Sequence, residues 1–346
     1  MGELQRPSDE LFMRRAFELA MRGIGSVSPN PLVGCVVVWN DRIIGEGWHR
    51  QYGKAHAEVN AIEAVADKSL LPESDIYVNL EPCAHHGKTP PCADLITSVG
   101  ARRIVISNVD PNPLVGGKGI AKLEAHGIKP VTGILENEGE FLNRRFLTFI
   151  NKKRPYIILK WAQTIDGFIA RADGSSEWIS DERSRQLVHR WRAEEDAILV
   201  GTRTAEKDDP QLNVRLWTGR DPVRIVIDRN LQLRSELQLF NGSQMTFCYN
   251  VKVDRSGDNV QYIRLSDQSF LADMLSDLHQ RGIQSVIVEG GAVTIQHFMD
   301  ENLWDEARIF TNGRKRFTNG IPAPRIKGNV RETVHLGEDV LTIVHR

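Results

Sequence analysis

Cysteine is scarce in this chain, with four in 346 residues, too few for a disulfide framework. No apolar run approaches the ~20 residues needed to span a membrane. The amino-terminal stretch MGELQRPSDE is polar, with nothing like the apolar centre of a secretory signal. An excess charge of one sign is missing too. Lys and Arg number 44 against 45 Asp and Glu, a net charge of −1, so no global field pulls the protein toward nucleic acid or an anionic membrane. There is no internal repeat and no low-complexity segment, and the second half carries neither a Walker pattern nor G-x-G-x-x-G. What remains is ordinary globular composition, 41% hydrophobic and 26% charged, at a length that suits two domains. The expectation is a cytoplasmic protein acting on small molecules, with no membrane and no nucleic-acid partner; a homo-oligomer is compatible with it.

Against that background, HAEVNAIE, starting at His56, stands out. Ala57, Ala61, Ala64 and Val65 share one side at helical spacing, with Val59, Ile62 and Ala66 beside it, which predicts a largely buried helix. A lone histidine at a helix start is more often structural or solvated than a ligand. Here it has partners: NLEPCAHHGKTPPC supplies Cys83 and Cys92 just after the strand-like IYVNL. One imidazole and two thiolates make a three-ligand zinc set with the fourth position left open. Glu58 lies two residues from the histidine. Zinc deaminases carry H-x-E followed by P-C-x-x-C, the Glu serving as general acid/base and not as a ligand. His56-Ala57-Glu58 and Pro82-Cys83 match, but eight residues separate the cysteines instead of two. Ring closure tolerates the longer loop. Cys35 and Cys248 sit in strand-like runs and read as core residues.

Element types alternate along the first half. ELFMRRAFELAMRG predicts an amphipathic helix ending near Gly23. LVGCVVVW and RIIGEGW predict a strand pair turned at Asn40-Asp41. The His56 helix, a strand over 76–80, a helix opening near Cys92, the strand RIVIS, a helix through IAKLEAHG and a short strand around Val131 follow. This is an α/β layered domain, placed at residues 1–150. The cationic, proline-containing stretch from Lys152 to Pro155 reads as the linker, and a second α/β domain occupies 151–346. Its strands are DAILVG, VRIVID, MTFCYN and QSVIVEGG, with helices near 181–192 and 270–281.

In that second domain, VIVEGGAVTIQHFM runs from a buried strand through Gly290-Gly291 into a helical pattern. Such a turn lets backbone N–H groups meet a phosphate; it is equally an ordinary tight turn. GTRTAEKDDPQLNVR reads as a polar loop after a buried strand, either solvated or at the ligand-binding end of a sheet. Together they suggest an anionic-ligand site. Lys160, in a buried strand, needs a partner, for which Asp208 is the expected carboxylate. Arg229, after VRIVID, could on charge alone clamp a cofactor phosphate.

With these segments in hand, the chain resembles the bifunctional riboflavin-biosynthesis deaminase–reductases over nearly its whole length. The resemblance rests on SPNPLVGCVV, HAEVNAI, NLEPCAHHGKTPPC and DPNPLVGGKG in the first half. In the second it rests on LKWAQTIDGFIA, SSEWIS, VGTRTAEKDDPQLNVR, PVRIVID and VEGG. It implies an α/β fold in both parts: a cytidine-deaminase-like three-layer domain, then a dihydrofolate-reductase-like domain. The implied substrate is a diaminopyrimidinone bearing a phosphoribosylamino group, deaminated with Zn2+ and then reduced from ribosyl to ribityl with NADPH. By the same resemblance His56, Cys83 and Cys92 hold the metal, Glu58 shuttles protons, and Asn30, His49, His85, Lys88, Asp110 and Asn112 contact the deaminase substrate. The long loop between the cysteines then has a use, His85 and Lys88 meeting the phosphoribosyl part. NADPH is expected near Ala162, Trp178, Thr204, Asp208, Gly290 and Gly291. The reductase substrate is expected at Lys160, Ser176, Arg192, Leu212, Arg215 and Glu289. Segment 311–330 receives no assignment.

Two rivals have different signatures. A zinc deaminase acting on nucleic acid, with an accessory C-terminal domain, calls for basic or aromatic interleaving that the second half lacks. A structural zinc protein would need a fourth ligand, which His85 or His86 could supply.

Overall fold

The computed structural model describes residues 6–84, 90–112, 116–174 and 177–346. The chain divides into two compact units, Met1–Lys153 and Arg154–Arg346.

The first unit runs α1 (Asp9–Met21), β1 (Gly34–Trp39), β2 (Arg42–Trp48), α2 (Ala57–Ala64), β3 (Asp75–Leu80), α3 (Cys92–Ser98), β4 (Arg103–Asn108), α4 (Lys118–Ala125), β5 (Lys129–Thr132), α5 (Glu136–Leu142) and α6 (Arg144–Lys152). Its sheet has the order β2-β1-β3-β4-β5. β1 is antiparallel to both its neighbours, and β3, β4 and β5 are parallel. Asn40 and Asp41 both have positive φ, 47° and 56°, the backbone that a two-residue hairpin turn requires. Alternation along β1 splits the core into two layers. Val36 and Val38 pack with Phe12, Met13 and Leu19 of α1. Cys35 and Val37 pack with α2, α3 and α4 through Ala61, Ile96 and Leu123. The result is a helix–sheet–helix sandwich.

Two glycines set the height of α2 above the sheet. A Cβ on Gly45 or Gly47 of β2 would strike backbone atoms of Ala57 and Ala61. Bare strand against an alanine face lets the helix lie almost on the backbone of β2. Ala64 and Ala66 differ from expectation: both are exposed, because α2 ends at Ala64 and only Val65 turns back into the core. Helices α5 and α6 fill residues 136–152, a stretch for which the sequence predicted no element.

The second unit contains β6 (Tyr156–Thr164), β7 (Phe168–Arg171), α7 (Glu182–Glu194), β8 (Ala197–Gly201), α8 (Thr202–Asp208), β9 (Val223–Ile227), β10 (Thr246–Asn250), β11 (Arg255–Ser256) and β12 (Val260–Arg264). There follow α9 (Phe270–Gln280), β13 (Ser285–Val288), α10 (Ala292–Asp300), β14 (Glu306–Asn312), β15 (Gly320–Pro322), β16 (Asn329–Leu336) and β17 (Asp339–His345). Ten strands form one sheet in the order β11-β12-β10-β9-β8-β13-β6-β14-β17-β16. From β12 through β14 every pair is parallel. Short antiparallel β11 covers one edge, and the β17–β16 hairpin covers the other.

β6 shows why the site forms where it does. Its odd residues Ile157, Leu159 and Trp161 face α9 and α10, packing with Met274 and Phe298. Its even residues Tyr156 and Ile158 face α7, packing with Val188 and Trp191. Lys160 is therefore delivered to the α7 side. In β13, Val288 pairs with Leu159, so the next residue, Glu289, comes alongside Lys160 at the carboxyl end of the parallel strands. The polar stretch after β8 is partly helical, since α8 carries Thr204 and Asp208; the expectation of a loop there is corrected.

Candidate active sites

In the first unit, three soft ligands converge at helix starts. His56 is the N-cap of α2, and Cys92 is the first residue of α3. Cys83 leaves β3 and is tied back by two amides: Cys92 N–H points at its sulfur (3.4 Å), and Ala93 N–H donates to its carbonyl (3.1 Å). His56 Nδ1 stands 3.2 Å from Cys92 Sγ and 3.6 Å from Cys83 Sγ, and all three ligand atoms lie within 4.8 Å of one another. Zinc bonds of ~2.0–2.1 Å to nitrogen and ~2.3 Å to sulfur at tetrahedral angles require N···S of about 3.5 Å. The observed separations bracket that value, so the donor set fits zinc in chemistry and spacing. The hydrogen bond from the Cys92 thiol, with His56 beside it, lowers the Cys83 pKa, which favours the thiolate that a metal ligand requires.

Glu58 projects from the first turn of α2 and is 3% exposed. Burial pushes its carboxyl up. It borders a cavity of about 310 Å³ shared with Asn30, His49, Cys83, Asp110 and Asn112. His49 Nδ1 lies 3.0 Å from the Ala55 carbonyl, which can only accept, so Nδ1 carries the proton. Its Nε2 then accepts from Asn30 Nδ2 at 3.1 Å. Burial lowers the His49 pKa and favours this neutral form.

The wall opposite depends on a residue that sequence reasoning passed over. Glu81 is buried, and its carboxylate accepts from the amides of Asp110 (3.3 Å), Gly117 (2.9 Å), Gly119 (2.9 Å) and Ile120 (3.2 Å). It holds the loop that presents Asp110 and Asn112, which is closed further by Asn112 N–H on Asp110 Oδ1 at 2.8 Å. The only signal was an acid at the end of a buried strand, in NLEPC. Tyr52, Lys54 and Phe146 also line the cavity and were not singled out. His85 and Lys88 lie outside the described residues.

In the second unit, Glu289 sits between two cations. Arg192 Nη2 is 2.9 Å from its Oε2, and Lys160 Nζ is 3.6 Å away. Lys160 thus finds a carboxylate, but it is Glu289, where Asp208 was expected. Burial alone would raise the Glu289 pKa; Arg192 and Lys160 outweigh it and hold the group at about 2. The two strand-to-helix junctions β8–α8 and β13–α10 lie side by side. A Cβ on Gly291 would touch Thr204 Oγ1 at 3.3 Å, and one on Gly290 would press Thr294 Cβ at 2.8 Å. Bare glycine backbone at a helix start beside a hydroxyl is a place where a phosphate can approach.

Two family models match the chain: the cytidine and deoxycytidylate deaminase zinc-binding region over residues 6–108, and the RibD C-terminal domain over residues 155–314. The riboflavin biosynthesis protein RibD of Aquifex aeolicus is 40% identical over 311 residues, 88% of this chain and 87% of that protein. RibD of Bacillus amyloliquefaciens is 42% identical over 312 residues, 87% of this chain and 84% of its own length. The chain belongs to the RibD family. A crystal structure of a diaminohydroxyphosphoribosylaminopyrimidine deaminase/5-amino-6-(5-phosphoribosylamino)uracil reductase from Thermotoga maritima superposes with a TM-score of 0.89. That protein is 39% identical, with 97% of this chain and 98% of that one covered.

Within this RibD-family chain, the fate of the remaining expected residues is mixed. Arg215 is exposed near the middle of the loop between α8 and β9, its Nη1 2.6 Å from Asn213 Oδ1. Ala162 is half-buried in β6 on the Lys160 side. Trp178 is 68% exposed, with the Arg185 guanidinium 5.2 Å over its ring, and Asp208 is exposed at the end of α8. Leu212 buries its side chain with Ile198, Val200 and Ala205 at a positive φ of 52°, so its side chain belongs to the core and its backbone is the part left to meet a ligand. Ser176 lies outside the described residues. Arg229 pairs with Asp267 and lies 4.5 Å over Phe270. No helix among the described residues is long and apolar enough to cross a membrane.

Proposed function

We infer that this RibD-family chain is a bifunctional riboflavin-biosynthesis enzyme. Its first unit deaminates 2,5-diamino-6-(5-phosphoribosylamino)pyrimidin-4(3H)-one, and its second reduces the ribosyl group of the product to ribityl. The observation that carries this reading is the His56/Cys83/Cys92 cluster with Glu58 beside it, opening on one cavity, in a chain whose other half matches the RibD C-terminal domain.

In the first unit, His56, Cys83 and Cys92 would hold zinc, which when bound lowers the pKa of water into the neutral range. Glu58 would accept a proton from the attacking water and return protons to the ring nitrogen and the leaving ammonia, so that water and amine become carbonyl and NH3. Burial suits Glu58 to this, because a carboxyl with a raised pKa can hold the proton between the two transfers. Asn30, oriented by neutral His49, and the Asp110–Asn112 loop, fixed by Glu81, bind the pyrimidine edge. His85 and Lys88 are assigned to the phosphoribosyl part by family resemblance.

In the second unit, NADPH would supply the hydride from the side of Thr204, Gly290 and Gly291, with Ala162, Trp178 and Asp208 bordering it. Arg192 and Arg215 take the substrate's phosphate, for which a guanidinium offers two parallel hydrogen bonds. Ser176 joins them by family resemblance. Glu289 and Lys160 face the ribosyl carbon as a fixed ion pair.

Metal content and the two half-reactions test this together. Cys83→Ser and Cys92→Ser are expected to lose zinc and deamination while still reducing the deaminated substrate. Full zinc in both variants refutes the ligand set, and failure of the wild-type zinc protein to release ammonia from the diaminopyrimidinone refutes the activity.

A further inference from the structure

His189 was not marked by any motif, yet it is 5% exposed and lies one turn before Arg192 on α7. Its Nδ1 accepts a hydrogen bond from the backbone amide of Arg215 at 3.1 Å. Arg192 Nη1 donates to the carbonyl of Asn213 at 3.2 Å. One face of α7 therefore grips both polar groups of the same short loop, a donor on one residue and an acceptor two residues earlier. Asp221 closes the far side by accepting from Val214 N–H at 2.7 Å. The loop also contains Leu212 at a positive φ of 52°, a backbone that persists only where surrounding contacts enforce it. Arg215 then has its amide fixed and its guanidinium steered by Asn213 Oδ1.

We propose that His189 is a positioning residue for the reductase step, its neutral imidazole holding the Arg215 backbone so that the guanidinium is presented to the phosphorylated end of the substrate. This rests on the assignment of Arg215 to that phosphate. The acceptor must be unprotonated, and the surroundings ensure it: burial first, then the charges of Arg192 and Arg215, bring His189 down to about 4, against the opposing pull of Glu289 and the Asn213 carbonyl. Near neutral pH the Nδ1 lone pair is free to accept. A histidine that merely filled space would not need this orientation.

Two amide side chains of different length separate the two roles. In His189→Asn the amide oxygen would occupy the position of the imidazole Nδ1, so that variant keeps the acceptor. His189→Gln carries its carbonyl one bond too far, and His189→Leu has none. With all three variants folded, the Leu and Gln variants are expected to raise the reductase KM for the phosphorylated substrate roughly 5- to 100-fold, as the Arg215 amide loses its acceptor in a part-buried hydrogen bond and the guanidinium is no longer held in place. Their kcat, their KM for NADPH and the deaminase step should stay within a few-fold of wild type, and His189→Asn should return the substrate KM to within a few-fold. If His189→Leu does not fold, the Asn and Gln variants alone decide it. Equal KM for those two, or a loss confined to kcat, overturns the proposal. Arg215→Ala serves as the control: an unchanged KM there overturns the phosphate assignment itself, while a raised KM in Arg215→Ala with none in His189→Gln overturns only the positioning role.

Discussion

The two units place their chemistry differently. In Met1–Lys153 the groups assigned to the reaction are rare side chains on neighbouring helix starts, His56 and Glu58 on α2 and Cys92 on α3, with Cys83 joined to that helix by its own backbone. In Arg154–Arg346 the assigned groups are common ones, Lys160, Arg192, Arg215 and Glu289, drawn from a strand, a helix, a loop and a strand end; charge ties Lys160 and Arg192 to Glu289, and amide oxygens hold Arg215. A metal site is specified by ligand chemistry that has few other uses in a protein of this composition. An ionic site is specified by register: Glu289 meets Lys160 because Val288 pairs with Leu159. The first kind of site can be perturbed one atom at a time. The second should respond as a network.

The largest expected effect tests the single-atom side of that contrast. Glu58→Gln replaces a buried carboxyl with an amide of nearly the same shape that cannot shuttle protons. Deamination is expected to fall by ~10²–10⁴-fold, with zinc retained and reduction of the deaminated substrate unchanged. Ammonia release together with metal analysis checks it. Deamination within a few-fold of wild type removes Glu58 from the mechanism, and loss of zinc makes the amide a structural defect.

The same contrast explains what the sequence made legible. The Asn40-Asp41 turn, the amphipathic α1 and the metal set each carry a local rule that few alternatives satisfy. Helices α5 and α6 were missed because ENEGEFLNRRFLTFINK is dense in charge and leads into a cationic stretch, which resembles a linker. Helix α8 was missed because TRTAEKD buries only Ala205, leaving no apolar stripe to read. Glu81 and His189 are invisible for a further reason: each acts on backbone amides that folding brings near, and a one-dimensional pattern does not display those. The partner of Lys160 was misassigned on the same ground, since strand order decides it. The resemblance to the RibD family supplied the reductase residues that spacing alone did not, and it also supplied Leu212, whose side chain is core.

An intermediate effect tests the network side. Glu289 at about 2 lies below its ordinary 4.5, and His189 at about 4 lies below its ordinary 6.5. In both cases the unfolded chain binds the proton more readily, so stability rises with pH across each interval. The His189 contribution is complete above pH ~6.5 and is lost as pH falls toward ~4. The Glu289 contribution is complete above ~4.5 and is lost toward ~2. Urea unfolding of the full chain between pH 7 and 4.5 should show the first loss in wild type, and His189→Asn, with no titrating imidazole, should lack that component. The charges facing this imidazole are Arg192, Arg215 and Glu289. Parallel pH curves for the two proteins would show that His189 is not held neutral by them.

The smallest expected effect concerns Arg229, the residue that charge alone recommended for a cofactor phosphate. Its side chain is 41% exposed and that of its partner Asp267 is 73% exposed, so the pair lies in water, where such bridges contribute roughly 0–1 kcal/mol. The guanidinium also covers the ring of Phe270, the first residue of α9, a contact that adds roughly 0.5–1 kcal/mol at an exposed site. Both roles are local to the start of α9, whereas the assigned cofactor side, at Thr204 and the Gly290-Gly291 turn, rests on different elements. Arg229→Ala is therefore expected to lower stability by no more than about 2 kcal/mol, with the KM for NADPH and the preference for NADPH over NADH unchanged. A large rise in the NADPH KM with the NADH value unaffected would mean that Arg229 leaves Asp267 to grip the 2′-phosphate. In that event the second unit would be assembled partly by its cofactor, and the contrast with the preformed His56/Cys83/Cys92 cluster would be sharper than the ion pairs alone imply.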